Sequence, residues 1–305
     1  MRRAWFLVVA VLAAGGAQAQ EPPAATAGFE VGVRYWLSSG MTKRAHDASS
    51  FSPILANPTS VLEYDEMWAN SVELHARKTF GEKWWVKGYV GLGRINTGTF
   101  TDQDFIILAG QKFFSETVSG MNGTLSYGTI DIGREVWRRG NTAFSVFAGY
   151  SQWNERVTSY GLSSTTGGGS LGDSQPAVGN DLTWKAARLG GAMRAERGRT
   201  RYTAEVALVP YASYRNEDSH FLRQSSSDLG SVPNVIGEGR GTGAQFEIEV
   251  RRSYPQYLGL EFGLGLRYWT LSSDHGTQEQ AGLNFPLVSL KSERLGGLFS
   301  ITKAW

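Results

Sequence analysis

From Leu258 to Trp269 the chain alternates with a period of two. Leu258, Leu260, Phe262, Leu264, Leu266 and Tyr268 fall on one face; Gly259, Glu261, Gly263, Gly265, Arg267 and Trp269 fall on the other. Successive side chains leave a strand on opposite faces, so this is a strand signature. Tyr202, Ala204, Val206 and Leu208 repeat it around Thr203 and Glu205, and Phe246, Ile248 and Val250 alternate with Glu247, Glu249 and Arg251. Charges at alternate positions of long strands suit a polar barrel interior better than the core of a sandwich. Past the N-terminal segment no stretch shows a helical period.

The connections alternate as well. Four are tight and rich in turn residues: Gly81-Glu82-Lys83, Arg138-Arg139-Gly140-Asn141, Arg197-Gly198-Arg199 and Tyr254-Pro255-Gln256. Between them lie five long polar segments, near 40–59, 99–123, 158–180, 216–240 and 273–283, of which 165–170 is a Gly/Ser/Thr run. Together they predict ten strands, at roughly 28–39, 60–80, 84–98, 124–137, 142–157, 181–197, 200–215, 241–253, 257–272 and 284–304. Short turns on one side and long loops on the other form the outer-membrane pattern. The expected fold is therefore all-β, a ten-stranded antiparallel transmembrane β-barrel. Trp84, Trp85 and Trp137, near the short turns, are expected in an aromatic belt.

The N-terminus changes the picture of where the chain goes. Arg2 and Arg3 precede the short apolar run Trp5 to Ala14, and Ala17-Gln18-Ala19 supplies a small-x-small cleavage site. Residues 1–19 read as a signal peptide and 20–305 as one barrel domain. The apolar run falls short of the ~20 residues a membrane helix needs. The chain ends Phe299-Ser300-Ile301-Thr302-Lys303-Ala304-Trp305. A terminal aromatic after alternating apolar positions is similar to the sorting signal read by the barrel assembly machinery, although Lys303 interrupts the alternation.

Composition then narrows the chemistry. Glycine (38) and tryptophan (10) are abundant, while mean hydropathy is only −0.27, as expected where one strand face is polar. Absence of cysteine excludes a lipid-anchored cysteine, a disulfide scaffold, a thiol nucleophile and a Cys-based zinc site. Loss of Arg2 and Arg3 with the signal leaves 28 of 30 basic side chains against 28 acidic ones, which offers no argument for nucleic acid. The four histidines lack zinc-site spacing, and no metal or other cofactor is expected. There is no Gly-x-Ser-x-Gly elbow and no phosphate-binding loop.

Chemistry-bearing residues gather at the predicted loop end. Asp102 and Asp104 follow the third strand, Asp218 and His220 the seventh, and each pair is spaced to share a face. In a ten-strand ring these strands lie on opposite walls, so the pairs face each other across the mouth. Asp218 would fix the His220 tautomer and raise its basicity. Asp102 and Asp104 would share one proton, because two close like charges do not both ionise easily. A water held between the pairs could then attack a peptide carbonyl. Taken singly, each motif reads more readily as solvated loop charge or a loose cation site. His46, beside Arg44 and Asp47, reads as a solvated loop residue; His75 near Glu73 reads as a lumen or interface residue. Asp274 and His275 are adjacent and diverge on an extended chain.

At these positions the chain resembles the omptins, a family of ten-stranded outer-membrane endopeptidases. Asp102-Gln103-Asp104-Phe105 is similar to their carboxylate pair after the third strand, and Asp218-Ser219-His220 to their Asp-x-His pair after the seventh. Ser39-Gly40-Met41-Thr42-Lys43, Leu62-Glu63-Tyr64 and Ala148-Gly149-Tyr150 resemble the family at the first, second and fifth strands. The resemblance implies a surface endopeptidase with Asp102, Asp104, Asp218 and His220 as catalytic residues. It also implies lipopolysaccharide held on the barrel wall as an activator, for which Tyr150, Arg156, Lys185 and Arg240 are the candidates. Two departures concern specificity. Arg44 and Asn216 stand where omptins that cut at basic residues carry acids, which leaves Glu217 as a possible substitute in the substrate pocket. The expected partners are outer-membrane lipid and lipopolysaccharide, a peptide or protein substrate, and the assembly machinery. Alternative readings are an inactive omptin-fold barrel that binds ligands or host surfaces as an adhesin, and a small-solute channel. Bulky and charged lumen side chains count against the channel.

Overall fold

The computed structural model describes residues 28–167, 169–225 and 227–305; the signal-peptide reading of 1–19 lies outside them. Ten strands run in chain order: β1 Phe29–His46, β2 Leu55–Phe80, β3 Trp84–Leu108, β4 Gln111–Arg139, β5 Thr142–Ser164, β6 Ser170–Arg197, β7 Thr200–His220, β8 Val235–Tyr254, β9 Leu260–Gln280 and β10 Leu283–Ala304. Each pairs antiparallel with its sequence neighbours, and β1 pairs with β10 from Glu30↔Ala304 to His46↔Leu287, closing the ring. Closure leaves no edge strand with unpaired backbone groups, the condition for spanning lipid with strands.

Strand number and order agree with the period-two reading, but strand length does not. Segments expected as long loops are strands. The stretch 99–123 is a hairpin whose turn is only Ala109 and Gly110, both at positive φ (50° and 78°); Ala281 and Gly282 (51° and 75°) close the β9–β10 hairpin in the same way. The reason is physical. Where both faces of a strand are wet, neither needs apolar residues, so the alternation that marks a strand in the membrane disappears. The longest connection at this end among the described residues runs from 221 to 234, between β7 and β8.

The other half of the barrel carries an outward apolar belt. Val33, Leu37, Val72, Leu74, Val90, Leu92, Ile130, Leu264, Leu266 and Ile301 all point away from the lumen and are 46–72% exposed. A continuous apolar surface of this extent is unfavourable in water and favourable against lipid. Trp84 and Trp137 flank it near the short turns. Trp85 does not: it is buried in the lumen against Phe147, with the Arg77 guanidinium 4.4 Å from its ring centre. Strand alternation places neighbours on opposite faces, so Trp84 and Trp85 cannot both belong to the belt.

The lumen is filled in two layers. Beside the belt, Arg34 pairs with Glu73, Glu247 and Glu249 at 3.0–3.3 Å, and Arg267 with Glu73 and Glu247 at 2.7 Å. Glu30 receives Arg194 and Arg251 at 2.8 and 3.1 Å. Above them lies an aromatic floor in which Trp153 packs on Trp269 (4.5 Å between centroids) and Trp36 (6.0 Å). The gaps left in and beneath this floor measure about 30 and 70 Å³, room for a few waters. The protein reconstituted in planar bilayers is therefore expected to conduct no ions; a stable stepwise conductance would show that the plug opens and would favour a channel. The long polar strand extensions stand on this floor and form the walls of the candidate site.

Candidate active site

The β2–β3 register sets the first half of the site. Leu62 pairs with Asp102 and Ser60 with Asp104. Phe100 is fully buried, and from it Asp102 and Asp104 follow at two-residue steps on the inward face. Ser60 Oγ donates to Asp102 Oδ1 at 3.4 Å, while Gln103, between the aspartates, turns outward and donates to Glu116 at 2.5 Å. Both acids thus lie within a strand, not in a loop after it.

The second half stands on β7. A register shift between Val209 and Ala212 resets the alternation, so that Tyr214, Asn216, Asp218 and His220 face inward. The strand end is pinned at 220: the His220 amide donates to Asn234 Oδ1 at 2.9 Å, and Asn234 N donates to the Asp218 carbonyl at 3.0 Å. Glu217 points outward, where Arg215 donates to it at 2.7 Å. It therefore cannot serve the substrate pocket, because a residue between two inward positions of a strand faces away.

Asp102, Asp104 and His220 line one cleft of about 340 Å³, together with Arg44, His46, Ser60 and Arg223 and an apolar wall of Phe51, Leu55 and Phe285. Asp218 lies beneath it, fully buried. The expected Asp218–His220 hydrogen bond is not made. Asp218 Oδ2 accepts from Arg44 Nη2, and Oδ1 accepts from Asn180 and from Asn216 at 3.2 Å. Sharing a strand face permits an Asp-His bond, but Arg44 reaches across from β1 and gains more from a buried carboxylate than a neutral imidazole would. His46 also departs from expectation: it is buried at the end of β1 in the cleft wall, not solvated. Asp274 and His275 are exposed and outside the cleft.

Electrostatics divide the roles. Burial, then the Asp104 and Asp218 charges, push the Asp102 carboxyl up to about 7, and burial also raises Asp104. Near neutral pH Asp102 can therefore keep a proton, with Asp104 two residues along the same strand. Burial, reinforced by Arg44 and Arg223, lowers His220 against the pull of Asp218 and Asp104, so its imidazole is neutral at pH 7. Burial and Arg44 lower His46 to about 4. Burial opposes the charge on Arg44, yet Asp218 holds its pKa above the ordinary value. A neutral imidazole opposite a singly protonated carboxylate pair is a set that can take a proton from water and return one to a leaving group. Among the described residues no group of three or more His, Asp or Glu side chains is arranged to hold a metal ion.

Sequence reasoning missed Asn180 and the Arg44–Asp218 pair. Arg44 was visible as an unusual charge, but its partner lies 174 residues away. On the outer wall, Gln152, Lys185, Ser213 and Arg240 stand side by side across β5–β8. Tyr150 lies one inter-strand row nearer the belt, and its hydroxyl donates to Gln152 at 3.3 Å. The Arg240 guanidinium lies 5.9 Å from the Tyr211 ring centre. Arg156 is higher on the wall and committed to Asp181. Lys185 and Arg240 therefore share one row on either side of Ser213, with Tyr150 a row below on β5 and Arg156 apart from that row.

A closed ten-strand antiparallel ring, an outward apolar belt and a plugged lumen define a β-barrel of the outer-membrane type. Its fold is similar to that of the outer membrane protease OmpT from Escherichia coli, with a TM-score of 0.69 and 12% identity over 91% of this chain and 97% of that one. The translocator domain of the autotransporter NalP from Neisseria meningitidis aligns over 91% of this chain and 88% of its own at 10% identity, with a TM-score of 0.39. At these identities the likeness to OmpT is one of fold. No protein-family model and no curated protein matches the sequence.

Proposed function

We propose that this chain is an omptin-like endopeptidase that hydrolyses peptide bonds at the cell surface. The observation that carries the reading is the single cleft in which Asp102 and Asp104 from β3 meet His220 from β7. In this reading His220 is the general base for a water, and the Asp102–Asp104 pair, with its shared proton, polarises the carbonyl and protonates the leaving amine. Asp218 acts through Arg44 and the strand end, not as a direct partner of His220. The chain is exported by its signal peptide, inserted by the barrel assembly machinery and oriented with the cleft outside. Lipopolysaccharide rests on the wall formed by Tyr150, Lys185 and Arg240 and is proposed as an activator. Cleavage-site mapping of refolded protein on a diverse peptide library, with and without lipopolysaccharide, tests this. Failure to cut any peptide in either condition would overturn it.

The occupied state of Asp218 favours one second reading, a ligand-binding or adhesive barrel, because the Asp-His hydrogen bond is missing. A measurable turnover lost on His220→Ala separates the two.

Two outcomes follow for the protease. Cleavage between paired basic residues is expected to be no better than at neutral sites, because Arg44 stands in the cleft and Asn216 offers only an amide. Strong dibasic preference in the library would contradict this. The pH profile of kcat/KM is expected to be a bell. The acid limb lies below pH 6.5, since the lowered His220 must lose its proton to act as base. The alkaline limb falls near pH 7, where the aspartate pair gives up its shared proton. A rate still climbing between pH 7 and pH 9 would remove the pair from the mechanism.

A further inference from the structure

Beyond the membrane the strands are mostly polar, yet one side of the cleft is apolar. Phe51, Leu55, Leu283 and Phe285 line it beside Asp102, Asp104 and His220. Phe285 is buried and takes the Phe51 ring edge-on at 4.8 Å between centroids, with the His46 ring at 5.9 Å. Leu55 stands across from Ile106, and Ile106 from Phe113, so the apolar surface continues over β2, β3 and β4. Phe51 and Leu283 remain 50% and 47% exposed. The connection that presents Phe51 is tied down: its amide donates to the Ala48 carbonyl, the Leu55 amide to Ser52, and the Ala48 amide to the Thr59 hydroxyl, at 2.8–3.0 Å. A lone exposed apolar side chain is ordinary, but a contiguous and fixed group of them beside polar chemistry marks a binding surface.

Position and charge decide the occupant. Ile106 follows Asp104 by two residues on the same strand face, so the shelf begins ~7 Å beyond the acids at 3.3–3.4 Å of rise per residue. An extended peptide whose carbonyl lies at the acids brings the side chains flanking that bond within this reach. The charged groups of the lining are otherwise engaged. Arg44 is held by Asp218 and Arg223 by Asp228, at 2.7 Å for the second pair. A lysine side chain laid on Asp102 and Asp104 would occupy the carboxylates that the proposed reaction uses, and an acidic side chain would be repelled by them. What remains for a substrate side chain is the apolar wall.

We infer that the cleft selects peptides with a large apolar side chain, such as Phe or Leu, next to the scissile bond, seated on the shelf of Phe51, Leu55, Leu283 and Phe285. This rests on reading the cleft as a peptidase site and names its substrate class. Seating such a side chain removes apolar surface from water on both partners. Alanine covers too little of the shelf, and a charged side chain loses its hydration there without gaining a partner.

The test measures binding separately from catalysis. Fluorescein-labelled Gly/Ser peptides that differ only in a central Phe, Leu, Ala, Glu or Lys are titrated at pH 7 with the protein in phospholipid nanodiscs. Anisotropy is read before turnover, empty nanodiscs correct for partition into lipid, and products are then mapped by mass. The Phe and Leu peptides are expected to bind about tenfold or more tightly than the other three and to be cut at a bond flanking that residue. The preference should disappear in the double variant Phe51→Ser, Leu283→Ser, checked for folding by heat-modifiable migration. Equal binding of all five, tightest binding of Glu or Lys, absence of binding by any, cuts away from the apolar residue, or a preference that survives the double variant would each overturn the inference. Should the double variant not fold, the five peptides on the unmodified protein decide alone. Preference for Phe and Leu without any cleavage would uphold the shelf and overturn the protease reading. Cleavage of all five alike would uphold the protease and overturn the shelf, so the two failures are distinguishable.

Discussion

His220→Ala is expected to abolish measurable proteolysis while the barrel still folds. A positioned general base contributes ~10² to 10⁴ in rate, and no other neutral imidazole in the cleft stands opposite the aspartate pair on β7. His46 is the one competitor, since it lines the same cleft, but it sits on β1 beside Arg44 with its Nδ1 unpartnered. His46→Ala is therefore expected to weaken activity modestly through packing, and the exposed His275→Ala to leave it unchanged. Asp102→Ala and Asp104→Ala should each fall toward the His220→Ala level, because either one removes the shared proton. Folding is followed by heat-modifiable migration, and turnover on whichever peptide the library selects. Full activity in His220→Ala would end the assignment of the base.

Arg44→Met and Asp218→Leu are each expected to cost about 3–5 kcal/mol of barrel stability, because either change strands an uncompensated charge in a fully buried place. The double variant should recover most of that loss, since replacing both partners of a buried pair by apolar groups is often near neutral. Denaturant unfolding in a fixed detergent or lipid provides the measurement. Single variants that lose less than about 1 kcal/mol, or a double whose loss equals the sum of the singles, would show that the pair is not coupled. Neither change alters the outer wall, so lipopolysaccharide dependence should be the same in all four proteins. That comparison separates loss of the cleft from loss of the wall.

Much of the barrel is legible in the sequence. Leu258 to Trp269 alternates cleanly because one face meets lipid and the other a polar lumen, and that contrast writes itself into composition. The β3 and β7 pairs were legible for the same reason: two-residue spacing guarantees a shared face on any strand. Beyond the membrane the contrast fades. Within the strands that cover 99–108 and 111–123, no residue of 101–108 or 111–118 is buried on either face, and their polarity reads as loop. Glu217 failed as a pocket residue through phase alone, since nothing local tells inward from outward once alternation is lost. Trp85 failed the same way one position from Trp84.

By itself the sequence determined what local spacing and composition can carry: ten strands, their order, and two pairs of titratable residues at one end. Tertiary structure decided what those residues meet. Closure of β1 onto β10 carries Arg44 round the ring to face β7, and there it takes the Asp218 carboxylate that local spacing had assigned to His220. A charge in low dielectric is claimed by whichever partner compensates it best, and that partner can come from any distance along the chain. Spacing along a strand fixes which side chains are able to meet; only the closed barrel fixes which of them do.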